Sequence, residues 1–206
     1  VLLLEGLSLP TLVGIVVGML VGITGHEFSH ALTADRLGDH QPRALGRVSL
    51  NPLRHLDPFG TVLLVLVGIG WGKPVPVRVD ALRPGRTGMA LVAAAGPVAN
   101  LVVALLLAAL FRILDLAALG GPTVLQLIYL MVVVNLLLAI LNLIPVPPLD
   151  GFGIVISLLP PRWEAIIRPW AGYGVILLLL LLILPGSPLR AILGLAYPWA
   201  AILCGF

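Results

Sequence analysis

Apolar residues in this chain fall in long unbroken runs, such as Leu101–Leu110 and Val175–Leu184. A half-buried strand alternates apolar and polar positions, and so do the strands of a membrane barrel. Continuous runs approaching the roughly 20 residues that cross a bilayer predict membrane helices instead. The pattern predicts spans over Pro10–Ala34, Thr87–Leu114, Thr123–Ile144 and Ile166–Leu184, with a last one at Leu189–Phe206. Pro10 suits a first helical turn. Between the first two spans, Asp35–Pro58 is polar and punctuated by prolines, and Ala44–Leu50 within it reads as a short strand. Phe59–Trp71 is apolar but too short to cross. Arg54 and Lys73 flank it, which places both its ends in one compartment and predicts a re-entrant hairpin or tilted short pair. Lys73–Arg86 reads as an extended loop, and Pro145–Gly151 interrupts the apolar pattern before a half-helix at Gly153–Leu159.

The fold expected is therefore all-α: a polytopic membrane protein with about five to six membrane segments, one of them short and re-entrant. One domain is expected over 1–206, trimmed at both ends: Val1–Leu4 carries neither Met nor a basic leader, and the last span, Leu189–Phe206, reads as truncated. Composition agrees: 60% of the 206 residues are hydrophobic and 10% charged, and the mean hydropathy is +1.14. Soluble domains carry about 25% charged residues, and disorder requires low hydrophobicity with high net charge. The net charge of +3 does not point to nucleic acid, since the twelve basic residues sit in loops without interleaved aromatics. Eight of those twelve fall in Asp35–Pro58 and Lys73–Arg86, which makes that end cytoplasmic by the positive-inside rule. Trp71, Trp163, Trp170 and Tyr173 lie near span ends, as interfacial anchors or as packing residues. Cys204, the single cysteine, excludes an internal disulfide and a cysteine metal site.

Chemistry enters at His26-Glu27-Phe28-Ser29-His30, an HExxH pattern inside the first span. On a helix His26 and His30 share a face, so both imidazoles can reach one metal ion. Glu27 lies about 100° around the helix and can address a water on that metal. Two histidines and a carboxylate are expensive in an apolar helix, which favours function over an interhelical hydrogen-bond cluster. A catalytic zinc takes three protein ligands, so a third must come from elsewhere. Asp150 lies in Asn142-Leu-Ile-Pro145-Val-Pro147-Pro148-Leu-Asp150-Gly151, where the prolines bar a regular helix. Locally, Asp150 reads equally as a helix N-cap; the need for a third ligand favours the metal. Gly151 permits a sharp turn or close approach. His40 reads as a surface residue, and His55 as hydrogen-bonded or solvated rather than a ligand. Asn51, Asn100 and Asn135 are candidates for bonds across helices, Asn100 chiefly for close packing beside Gly96-Pro97.

HEFSH in an early span, followed about 120 residues later by NLIPVPPLDG, resembles the site-2 protease family. Its small bacterial and archaeal members, without a PDZ or nucleotide-sensing domain, are the nearest in kind. His55-Leu-Asp57-Pro58-Phe59-Gly60 and Gly96-Pro97-Val98-Ala99-Asn100 support the resemblance. It implies one Zn2+ per chain on His26, His30 and Asp150, Glu27 as catalytic base, and Asn142 near the reacting carbonyl. Asn142 reads equally as a structural residue that bonds backbone freed near Pro145. The implied activity is intramembrane hydrolysis of a peptide bond within or near the transmembrane segment of a membrane-protein substrate. The implied setting is a lipid bilayer, a prokaryotic inner or plasma membrane, with the site towards the cytoplasm. A small membrane-edge β element is also implied, with Ala44–Leu50 and Pro74–Val79 as its candidates. Two other functions compete: a metal transporter and an inactive zinc-binding scaffold. A transporter needs ligands along a path, and a scaffold needs no Glu27.

Overall fold

The computed structural model describes residues 8–57 and 72–206, with Leu182 described by its backbone only. The first element, α1 (Leu9–Arg36), starts where Ser8 accepts a hydrogen bond from the Thr11 N–H and Pro10 occupies the first turn. After a short helix α2 (Gln41–Ala44) come α3 (Arg86–Leu116) and α4 (Pro122–Asn142). Then follow α5 (Asp150–Leu158), α6 (Pro161–Ile167), a 3-10 stretch (Arg168–Tyr173), α7 (Gly174–Ile183), α8 (Pro188–Gly194) and α9 (Ala196–Cys204). Among the described residues, four stretches are long and apolar enough to cross a membrane: α1, α3, α4 and Pro161–Leu181; Pro188–Cys204 is shorter. The predicted re-entrant piece Phe59–Trp71 lies outside the described residues, as does Trp71. Trp163, Trp170 and Tyr173 are exposed, as anchors require.

Small residues set the arrangement of the three long inner helices. Gly14, Gly18 and Gly22 recur every four residues and form one buried stripe on α1. A Cβ on Gly18 would lie 3.1 Å from the Met131 Cα, and one on Gly22 would lie 2.6 Å from Leu138 Cδ1. The backbones of α1 and α4 therefore touch, which dispersion forces and lipid-excluded polar contacts reward in a bilayer. Helix α3 packs on both, burying Ala93, Gly96, Asn100, Ala104 and Ala108 at helical spacing. Its outer half joins Val132, Val133, Ala196 and Ala200 in an apolar core. Arg112 donates to the Leu203 and Ile202 carbonyls (2.6 and 2.8 Å), satisfying the free C-terminal end of α9.

Prolines explain where long predicted spans divide. Pro169 has no N–H to offer Ala165, and the chain from Ile166 onward passes through the 3-10 stretch before α7 resumes. Pro198 likewise has no N–H for Gly194, where α8 gives way to α9.

The predicted strand at Ala44–Leu50 is corrected. Pro42 opens helix α2, Gly46 adopts a left-handed φ of 69°, and the chain turns back on itself. Pro74–Val79 is extended up to Arg78 but forms no ladder, because Pro74 and Pro76 lack donors. Among the described residues the β pairing is confined to one bridge, Leu56 with Gly72. Buried Arg47 ties these loops together, donating to the carbonyls of Arg54, Lys73 and Pro74. Burial holds its guanidinium below the usual arginine pKa, and the nearby Glu27 charge opposes that shift. At the same end, the Arg83 N–H donates to the Leu37 carbonyl (2.9 Å), joining the exit of α1 to the approach to α3.

Candidate metal centre

His26 and His30 lie one turn apart on the buried face of α1, with ring centroids 4.6 Å apart. Asp150 reaches them from the start of α5. The N-cap of that helix is Leu149, so Asp150 is its first helical residue and its carboxylate is free of the capping role. Two features bring it there. A Cβ on Gly151 would stand 2.3 Å from the Leu143 carbonyl oxygen, so only glycine allows the chain to fold back this tightly. Arg86 then holds the far end of α5, donating to the Ile156 and Leu159 carbonyls (2.8 and 2.6 Å) and pairing with Glu164.

The hydrogen bonds around the imidazoles assign their protons. His30 Nδ1 lies 2.6 Å from the Val92 carbonyl oxygen, and His26 Nδ1 lies 2.7 Å from Asn100 Oδ1. Each partner only accepts, so each Nδ1 carries a ring proton, and in the neutral imidazole each Nε2 keeps a bare lone pair. Those two Nε2 atoms are 3.0 Å apart. Asp150 Oδ2 stands 2.9 Å from the first and 3.3 Å from the second. The 3.0 Å contact is therefore between two acceptors, and Asp150 Oδ2 is buried without a hydrogen-bond donor. With both imidazoles neutral, three lone pairs converge on one point, an arrangement that a bound cation would satisfy.

The spacing suits a small tetrahedral ion. Bonds of about 2.0–2.1 Å at tetrahedral angles place donors roughly 3.3 Å apart. His26, His30 and Asp150 form a donor cluster within 4.8 Å, two nitrogens and one carboxylate. Backbone leaves room beside it: a Cβ on Gly96 would lie 2.4 Å from His30 Nε2 and 2.6 Å from His26 Nε2.

A cavity of about 480 Å³ opens onto the cluster, lined by Glu27, Asn142, Pro74, Val77, Leu149 and Phe152 among others. Glu27 is half-buried and lines the same cavity, next in sequence to His26 and about 100° around the helix from it. Asn142 also faces this cavity and donates one amide hydrogen to its own helix at Leu138 O (2.9 Å). It does not bond backbone near Pro145 by that hydrogen. His55 is fully buried and hydrogen-bonded to Ser49 O (2.6 Å), so it is not solvated, and it stands outside the donor cluster. His40 is largely exposed and bonds Asp35 (2.9 Å). Asn51 caps the local turn at Leu53 (3.0 Å) rather than a neighbouring helix.

Sequence reasoning missed the groups that orient the imidazoles. Asn100 is expected to bond across helices and to serve close packing, and it does bond α1 and α4, but that its oxygen holds His26 is not foreseen. Its signal was available: a buried amide in an apolar helix, one turn from Gly96, is costly without a function. The Val92 carbonyl carries no side-chain signal at all.

The family described as Peptidase family M50 matches this chain over residues 114–184, which include Asn142 and Asp150. YwhC of Bacillus subtilis is 36% identical over 178 residues, covering 83% of this chain and 80% of YwhC. Rip2 of Mycolicibacterium smegmatis is 34% identical over 187 residues, covering 83% of this chain and 67% of Rip2. Rip2 of Mycobacterium tuberculosis is 34% identical over 179 residues with the same coverage. These relatives carry names that describe zinc metalloproteases. No solved structure matches the chain at comparable significance.

Proposed function

The chain belongs to peptidase family M50, the site-2 protease family, and from that footing we propose that it is a zinc endopeptidase acting within the membrane. The observation that carries this reading is the convergence of His26 Nε2, His30 Nε2 and Asp150 Oδ2 at one cavity that Glu27 also lines. These three residues would hold the ion. Zinc, when bound, supplies Lewis acidity to a water molecule and to the scissile carbonyl.

The remaining work falls to the chain's own groups. Glu27 accepts the proton of the attacking water and returns it to the departing amide nitrogen. Asn142 spends one amide hydrogen on Leu138 O and keeps a second, which can donate to the substrate carbonyl oxygen as its charge grows. The cavity wall at Pro74–Val77 is extended, and a substrate unwound from its helix would lie beside it as a neighbouring strand does. Unwinding is required because a helical carbonyl is already hydrogen-bonded and shielded.

The substrate in this reading is a membrane-spanning protein, and the cut lies near the cytoplasmic side. His26 and His30 lie ten and six residues before Arg36, or on the order of 9–15 Å below the basic rim at about 1.5 Å per residue. Arg36, Arg43, Arg78 and Arg83 on that rim are exposed, as the positive-inside rule expects.

The test is a Glu27→Gln variant assayed for zinc content and for cleavage of a membrane-anchored reporter. Zinc near one per chain with hydrolysis reduced by about 100-fold or more supports the reading. Wild-type cleavage by Glu27→Gln, or wild-type protein without zinc, overturns it. A transporter or scaffold would be indifferent to this substitution.

A further inference from the structure

His26 and His30 are oriented by different means. The acceptor for His30 Nδ1 is a main-chain carbonyl, Val92 O, whose direction is fixed by helix α3. The acceptor for His26 Nδ1 is a side-chain amide, Asn100 Oδ1, which can rotate. A reversed Asn100 would present its NH2 to His26 Nδ1. The ring proton would then move to Nε2, the atom aimed at the metal, and occupy the lone pair that binds it.

The geometry points to Asn135 as the residue that prevents this reversal. Asn135 sits on α4, fully buried, and belongs neither to the donor cluster nor to the residues that line the cavity. Its Nδ2 donates to two main-chain carbonyls, Met131 O (2.9 Å) and Gly18 O (3.4 Å). Both are acceptors only, so its Oδ1 must face Asn100. Asn100 Nδ2 donates to that Oδ1 (3.2 Å) and to Gly22 O (3.0 Å). Turning Asn100 round would set its oxygen against two other oxygens inside a low-dielectric core, where unmatched polar groups are most costly. The order is thus dictated from the backbone outward: Met131 and Gly18 fix Asn135, Asn135 and Gly22 fix Asn100, and Asn100 fixes the tautomer of His26. Gly22 makes the relay possible, since a Cβ there would lie 3.0 Å from Asn135 Oδ1 and 3.3 Å from Asn100 Nδ2. Asn100 and Asn135 are positioning residues, and through them α4 sets metal affinity at a site on α1 and α5.

This inference rests on the proposed zinc site and is tested by zinc affinity, measured by chelator competition on purified full-length protein in detergent. Asn100→Leu, close in shape, removes the acceptor and is expected to weaken zinc binding about 10- to 100-fold, the usual cost of losing a partner of a metal-bound imidazole. Asn100→Asp keeps an acceptor on His26 and is expected to bind zinc within about threefold of wild type, or more tightly. A packing role predicts the reverse preference, since Leu suits an apolar core and a buried carboxylate does not. Thermal stability of the metal-free variants provides that comparison: Leu is expected to exceed Asp in stability while falling below it in affinity. Asn135→Leu is expected to weaken zinc a few-fold alone and to add nothing in the Asn100→Leu background, because it acts through Asn100. The absorption spectrum of Co2+-loaded protein should shift in Asn100→Leu and stay near wild type in Asn100→Asp. Equal zinc affinity for wild type and Asn100→Leu, or independent multiplying effects of the two leucine substitutions, would overturn the relay while leaving the zinc site intact. A wild-type protein that binds no zinc would instead overturn the site itself.

Discussion

Gly96→Ala adds a single methyl group at the point where the site has least room. That methyl carbon would lie 2.4 Å from His30 Nε2 and 2.6 Å from both Nε2 and Cε1 of His26. Nonbonded heavy atoms settle at about 3.5–4.0 Å, so the overlap is roughly 1 Å against each ring. Either α3 moves away from α1 by that amount or the imidazoles rotate off their Nδ1 partners. Metal–ligand distances tolerate only about 0.2 Å, so both routes break the donor set. The protein itself should still fold. Overpacking costs about 1–3 kcal/mol, and alanine returns about 0.8–1.0 kcal/mol over glycine inside a helix. Zinc affinity is expected to fall at least about 100-fold, near 2.8 kcal/mol at about 1.4 kcal/mol per decade. The assay is zinc stoichiometry and chelator competition, paired with thermal unfolding of the metal-free protein. Gly153→Ala is the control, because its Cβ would meet only Ala93 Cβ at 3.3 Å. Wild-type zinc affinity in Gly96→Ala would refute the placement of the site against α3.

Gly18→Leu should force α1 and α4 apart, since even a Cβ there lies 3.1 Å from the Met131 Cα; unfolding in mild detergent should show a loss of about 1–3 kcal/mol or more. Arg47→Met leaves the carbonyls of Arg54, Lys73 and Pro74 without their shared donor. Each part-buried hydrogen bond to the charged guanidinium is worth about 1.5–3 kcal/mol at most, so the cavity wall should loosen, seen as faster hydrogen exchange over 72–78. Peptidase activity in Arg47→Met should drop while zinc content stays near wild type, because the donor cluster lies on other elements.

Much of this was legible in one dimension. Unbroken apolar runs can satisfy their backbone only as helices in lipid, and the spans over α1, α3 and α4 follow from that alone. Helical periodicity put His26 and His30 on one face before any fold was known, and the cost of a carboxylate in an apolar helix marked Glu27 as functional. Asp150 stood out by the same cost and by its prolines, although its sequence context served a helix cap equally well. The misreadings share a cause. Ala44–Leu50 has the apolar content of a strand, but Pro42, Gly46 and the burial of Arg47 against three distant carbonyls decide its path.

What only the tertiary structure decided is which atoms face one another. Period and composition identify a buried asparagine but not the direction of its amide, and His26 depends on that direction. They identify Gly96 as small but not as the floor beneath two converging imidazoles. They separate Asp150 from His26 by 124 positions, whereas the fold-back at Gly151 and the grip of Arg86 bring their side chains to 2.9 Å. Local sequence governs repeating backbone hydrogen bonds, which extend over four residues at a time. The convergence of three proton-free donors requires elements far apart in the chain, and only packing fixes their separation.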